Sequence, residues 1–267
     1  MIQHGREPWS RHPFCVTLPE GAGPPAESGG AVPGKDSLIM RSWALLLSLI
    51  LVAAACGPSE EEPALVDDIV AAAPDNAKKI LDNGFVSVTE FLLAPGGKLP
   101  PHVAPARIVY PLSDFKLRYQ APGAEAGVVR DFRKDQPLWI GTETYSISNI
   151  GPITARWLEV AARVPNPDPY STSDLLEKAP GMAQRLFENE NAKVILVTLQ
   201  PTEALPPHNG AGRVVYALTP AKVKLTMGDQ TVEEEWAEGE ARWYDPGEHA
   251  VENLSDHEIK FVMIEIR

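Results

Sequence analysis

LPPHNGAGRVVYAL, residues 205–218, and GEARWYDPGEHAVEN, residues 239–253, frame the stretch that decides the fold. The first sets His208 behind a pair of prolines. The second sets His249 just past the Pro246-Gly247 turn and ends on Asn253. Short segments of alternating apolar and polar residues lie between them. Two side chains so distant in sequence meet only if the intervening strands fold back on each other. A small antiparallel barrel does this.

Working outward, the stretch occurs twice. Displaced by 106 residues, LPPH at 99–102 falls on LPPH at 205–208, RIVYPL from Arg107 on RVVYAL from Arg213, and APDNAKKILDN from Ala73 on APGMAQRLFEN from Ala179. Further along, the displacement becomes 104: Trp139 falls on Trp243, Asn149 on Asn253, and ARWLEVAAR from Ala155 on IKFVMIEIR from Ile259. A register kept through both ends marks a duplicated domain rather than a solenoid. The slip of two residues belongs to a hairpin loop among the central strands.

Within each copy the apolar period is two. VSVTEFLLA, AKVILVTLQ, FKLRYQA, KVKLTM and ARWLEVAA read as half-buried strands. MGDQ, from Met227 to Gln230, carries a hairpin signal. Apolar residues at helical spacing run from Leu65 to Asn83 and from Thr172 to Asn189, and the pieces NAKKIL and MAQRLF are expected to form one or two helical turns. The expected fold is all-β: two tandem jelly-roll barrels, residues 67–163 and 173–267, with short helical turns preceding each. PNPDP at 165–169 places the linker at 164–172.

The chain has 267 residues, 26 of them Pro, and a formal net charge of -12. An acidic body argues against nucleic acid as a partner. Its two cysteines, Cys15 and Cys56, both lie near the N-terminus, which excludes a disulfide framework or a Cys-based zinc site in the barrels. Residues 1–39, rich in Gly, Pro and Ser, read as an extension upstream of the true start at Met40. MRSWALLLSLILVAAAC, residues 40–56, has the anatomy of a secretory signal, with Arg41, an apolar run and three alanines before Cys56. It resembles a bacterial lipoprotein signal, which implies lipidation at Cys56. The apolar run is shorter than the roughly 20 residues of a membrane span. Gly57 in place of Asp points to the outer membrane, facing the periplasm. Residues 57–66 read as a tether.

The two repeats resemble the cupin family, and together a bicupin. Residues 239–253 are similar to the second cupin motif, and each LPPH to the leading His of the first. In metal-dependent cupins the first motif gives two His and a Glu, and the second gives one His. In the C-terminal repeat the resemblance keeps His208 and His249. Gly210 stands at the second His, and Arg213 or Val214 stands near the Glu. In the N-terminal repeat it keeps His102, with Ala104, Arg107 or Ile108, and Tyr145 at the other places. A guanidinium repels a divalent metal and is shaped to grip a carboxylate or phosphate. Alternatively, Arg107 and Arg213 pair with carboxylates at the barrel rim.

The resemblance thus implies a degenerate bicupin of the cell envelope. It would bind a small anionic ligand or an envelope protein without catalysis or cofactor. Arg107, Arg213, His102 and Tyr145 are the expected ligand-binding residues. The alternative is a metal-dependent oxygenase or isomerase active only in the C-terminal barrel, with one Fe, Mn, Ni or Zn on His208 and His249. A third reading is a purely structural module.

Overall fold

The computed structural model describes residues 64–163 and 173–267. The extension 1–39, the signal 40–56 with its Cys56, most of the 57–66 tether and the linker 164–172 lie outside the described residues.

The first repeat runs α1 (Ile69–Ala72), β1 (Ala77–Asp82), β2 (Val86–Leu93), β3 (Lys98–Ala104), β4 (Arg107–Pro111), β5 (Phe115–Gln120), β6 (Val128–Phe132), β7 (Leu138–Ile140), β8 (Glu143–Asn149) and β9 (Ala155–Ala162). The second runs α2 (Leu175–Lys178), β10 (Ala183–Glu188), β11 (Ala192–Leu199), β12 (Ala204–Gly210), β13 (Arg213–Ala217), β14 (Ala221–Met227), β15 (Gln230–Trp236), β16 (Ala241–Tyr244), β17 (Gly247–Asn253) and β18 (Ile259–Ile266). Each repeat folds into a five-stranded sheet, β1-β2-β9-β4-β7 or β10-β11-β18-β13-β16, facing a four-stranded one, β3-β8-β5-β6 or β12-β17-β14-β15. The topology is the same in both halves, as the internal duplication requires.

The slip in register sits in one hairpin. Phe115 pairs with Phe132, whereas Ala221 pairs with Trp236. The second hairpin is therefore two residues shorter. Its turn is Gly228-Asp229, closed by Met227 opposite Gln230, with Gly228 at a φ of 57°.

Each barrel has its own apolar filling. Leu99, Leu117, Ile147 and Trp157 are among those in the first, and Leu205, Val223, Leu225 and Phe261 among those in the second. A third cluster joins the two barrels: Val88, Ile108, Leu158 and Val160 from one pack with Val194, Val214, Val262 and Ile264 from the other. The five-stranded sheets thus lie back to back and their inner strands are covered on both faces. This explains the nearly unbroken apolar run of KFVMIEI, and the full burial of β4 and β13. Trp243 stacks on Phe85 of the other barrel, ring centroids 5.2 Å apart.

NAKKIL and MAQRLF are not helical. They form the edge strands β1 and β10, while the single helical turns lie earlier, at Ile69–Ala72 and Leu175–Lys178. The register shifts between Lys79 and Leu81, and again between Arg185 and Phe187. Such a bulge lets two consecutive apolar residues, Ile80 and Leu81 or Leu186 and Phe187, reach the same cluster. Together with Ala77 or Ala183 they imitate helical spacing.

Ile264 lies between the barrels with no exposed surface. Ile264→Ala should lower stability by about 2–5 kcal/mol. Val232→Ala on an exposed edge strand should change it by less than about 0.5 kcal/mol. Urea unfolding of both variants checks this.

Candidate functional site

The proline pair before each leading His shapes its surroundings. Prolines bring no N–H to a ladder and settle at bulges. The register shifts between Leu99 and His102 and between Leu205 and His208. The bulge turns a proline carbonyl toward the imidazole: Nδ1 of His102 lies 2.9 Å from Pro100 O, and Nδ1 of His208 lies 2.9 Å from Pro206 O. A ring nitrogen that meets a carbonyl carries the proton, so in the neutral ring Nε2 is a bare acceptor. Both Nε2 atoms are buried without a hydrogen-bond partner.

The second-motif residues sit beside these histidines. His208 pairs with His249 across β12 and β17, and His102 pairs with Tyr145 across β3 and β8. The imidazole centroids of His208 and His249 are 4.1 Å apart, and the rings of His102 and Tyr145 are 5.2 Å apart. The expected residues therefore converge within each barrel. Asn149 and Asn253 serve the fold instead. Nδ2 of Asn149 donates to Leu93 O and Ile153 O, each at 2.8 Å, and Asn253 binds the equivalent carbonyls.

The two arginines are not at a solvent-facing rim. Arg107 is 0% exposed and Arg213 4%. Arg107 Nη1 donates to Pro105 O and Gly141 O at 3.1 and 3.3 Å, and Nη2 donates to the Tyr145 hydroxyl. Its Nε stands 2.8 Å from Glu159 Oε2, a close charge contact without an aligned hydrogen bond. Burial opposes the Arg107 charge, but Glu159, Tyr145 and Tyr119 together more than offset that, and the guanidinium pKa stays above its ordinary value. Arg213 repeats the pattern. Nη1 donates to Ala211 O at 3.0 Å and Nη2 donates to His249 Nε2 at 2.7 Å. Burial pulls Arg213 down to about 10, so it remains charged at neutral pH.

The balancing carboxylates were not among the expected site residues. Glu159 and Glu265 stand on β9 and β18, but not at equivalent places. Glu265 pairs directly with Arg213 in the ladder, whereas Ala161 pairs with Arg107 and Glu159 lies one same-face position away. Burial raises the Glu265 carboxyl despite Lys193 and Arg213 nearby. One acidic residue among the apolar residues of each strand was the signal available.

Donor geometry decides what these centres hold. A divalent metal on His208 and His249 needs both Nε2 lone pairs and at least one further donor. His249 Nε2 already accepts from Arg213, and the guanidinium fills the neighbouring space. A Cβ at Gly210 would fall 2.6 Å from Arg213 Nη1 and 2.6 Å from His249 Cε1. The residues do not fit a divalent metal. Among the described residues no three His, Cys, Asp or Glu side chains gather to hold one. An anion likewise meets two guanidinium groups whose donors are largely engaged. Tyr145 is buried with its hydroxyl on Arg107, and burial raises its pKa.

The barrels differ at their mouths. In the first, a cavity of about 150 Å3 is lined by Asp67, Asp68, Ser87, Thr89, His102, Arg107 and Glu159. In the second, buried Lys193 stands at the place of Ser87 and buried Ile195 at the place of Thr89. The C-terminal mouth has a cavity too, of about 450 Å3 and lined by Ser173, Leu176, Glu177, Arg185, Glu188 and Lys193, but His208, Arg213 and Glu265 do not line it, whereas His102, Arg107 and Glu159 line the cavity of the N-terminal barrel.

No protein-family description matches this sequence, and no curated protein does. Solved structures do share its fold. AerE from Microcystis aeruginosa is similar with 16% identity and a TM-score of 0.51, covering 72% of this chain and 97% of that one. The 11S allergen from Cocos nucifera has 12% identity and a TM-score of 0.52, covering 68% and 81%. Oxalate decarboxylase from Lactobacillus farciminis, in a formate complex, has 12% identity and a TM-score of 0.50, covering 68% and 77%. At these identities the likeness speaks for the fold alone.

Burial first, then Arg213 and His208, holds His249 down to about 3. An unfolded histidine titrates near 6.5. The stability that neutral His249 contributes is complete above about pH 6.5 and is lost as pH falls toward about 3. His249→Gln keeps an acceptor but cannot protonate. Urea unfolding across this range should show a shallower acid loss in the variant.

Proposed function

We propose that this protein, a chain with the double-barrel fold of the bicupins, is a non-catalytic binding module whose buried arginines take the place that a metal has in metal-dependent cupins. The observation that carries this reading is the 2.7 Å contact from Arg213 Nη2 to His249 Nε2. It uses the lone pair that a metal would need, and it sets a buried cation beside the imidazole. In the first barrel Arg107 holds the Tyr145 hydroxyl in the same way. A guanidinium has no redox chemistry and no open coordination position. With its donors engaged it serves as a cross-brace between strands.

Elemental analysis of the full-length protein tests this. We expect no stoichiometric iron, manganese, nickel or zinc in the parent. Stoichiometric metal in the parent, lost in His208→Ala/His249→Ala, would overturn the reading in favour of an enzyme with an active C-terminal barrel.

We further propose that the module is held in the cell envelope by a lipid on Cys56, supported by the MRSWALLLSLILVAAAC segment. Fatty-acid labelling in a bacterial host should mark the parent and not Cys56→Ser. Equal labelling of both would remove the anchor.

A further inference from the structure

We propose that the mouth of the N-terminal barrel binds a small primary alkylammonium cation, and that the C-terminal barrel carries the same group covalently, as Lys193. This deepens the binding reading above by naming the site and the ligand class.

The argument begins with the two mouths laid on each other. β2 and β11 occupy the same place in their sheets, and Ser87 corresponds to Lys193. Lys193 lies opposite Glu265 in the β11–β18 ladder, and Arg213 lies opposite Glu265 on the other side. One buried carboxylate is thus flanked by an ammonium and a guanidinium. Lys193 is only 7% exposed, and its Nζ lies 3.4 Å from Ser173 O. In the C-terminal barrel the protein's own butylammonium chain thus takes the place beside the buried carboxylate, and the cavity of about 450 Å3 at that mouth lies outside it, lined by Lys193, Ser173, Glu177, Arg185 and Glu188 but not by Glu265 or His208.

The N-terminal mouth lacks that chain and keeps groups that suit it. Ser87 and Thr89 are short, and the cavity of about 150 Å3 opens beside them. Glu159 lines it, with Arg107 on one oxygen only; the other meets Trp157 Nε1 at a long 3.3 Å. His102, 3% exposed, also lines it, and its Nε2 has no hydrogen-bond partner. Where Ser173 stands in the second repeat, the first has Asp67, followed by Asp68. Among the described residues neither aspartate has a cationic partner, whereas the equivalent Asp174 is paired with Lys178 at 3.0 Å. Lys79 at the same mouth shares Asp82 with Arg163, at 3.2 and 2.5 Å, so the four carboxylates Asp67, Asp68, Asp82 and Glu159 stand against three cations, Lys79, Arg107 and Arg163. The uncompensated charge is therefore negative and the orphan ring nitrogen is an acceptor. A primary ammonium supplies the matching charge and three N–H donors.

Titration calorimetry of the full-length protein with n-butylammonium tests the proposal, beside n-butyrate and butyltrimethylammonium. We expect one saturable site for butylammonium. Butyrate has the wrong charge, and butyltrimethylammonium has no N–H for His102, so neither should saturate. Ser87→Lys copies the second barrel into the first and should abolish binding in a folded protein. Asp67→Asn, at an exposed position, should weaken it by about two- to fivefold, as for one exposed charge. Absence of saturable binding to the parent, binding unchanged in folded Ser87→Lys, or equal binding of the trimethyl compound or of butyrate would each overturn the proposal. These outcomes hold whatever the metal content, so they are separate from failure of the metal-free reading.

Discussion

A guanidinium buried in each barrel is the constraint on which the rest depends. Removing such a charge from water costs several kcal/mol, and the loss is offset only by excellent geometry and added hydrogen bonds. The chain meets this need from four directions around Arg107: the carbonyls of Pro105 and Gly141, the hydroxyl of Tyr145 and the carboxylate of Glu159. All but Pro105, two residues away, come from strands or turns distant in sequence. The guanidinium therefore fixes how β4, β8 and β9 sit relative to one another. Around Arg213 the same role falls to Ala211, Asp245, His249 and Glu265. Gly210 follows from this, since any side chain there would collide with the guanidinium and the imidazole.

The same arrangement separates fold from chemistry. The barrel keeps the proline bulge that orients the leading histidine and the asparagine that closes the turn after the second motif. Oxalate decarboxylase and an 11S allergen share this fold with one another and with this chain. The fold therefore does not fix the function, and the side chains in the barrel must.

Much of the architecture was legible in the sequence. The duplication was visible in LPPH and in the paired Arg-x-Val-Tyr segments, and the barrels follow from the period of two. The residues NAKKIL misled because a β-bulge places Ile80 and Leu81 on one face, and a bulge is a tertiary choice that periodicity does not reveal. The histidines and arginines were legible as a cluster. Their balancing carboxylates were not, because Glu159 and Glu265 occupy non-equivalent places and comparing the repeats hides them. The difference between the two mouths was hidden for a related reason: Ser87 against Lys193 reads as ordinary divergence until the strand is folded beside Glu265.

The back-to-back sheets have one more consequence. The cluster from Val88 and Leu158 to Val262 and Ile264 belongs to neither half, and either half alone would present it to water. Each buried Val, Leu or Ile there is worth about 1.5–3 kcal/mol. The peptide connection between the halves then acts on that interface as an effective concentration, holding two complementary surfaces near each other. Severing it would turn one folding event into a bimolecular association, and folding of the two pieces would depend on how much of each is present.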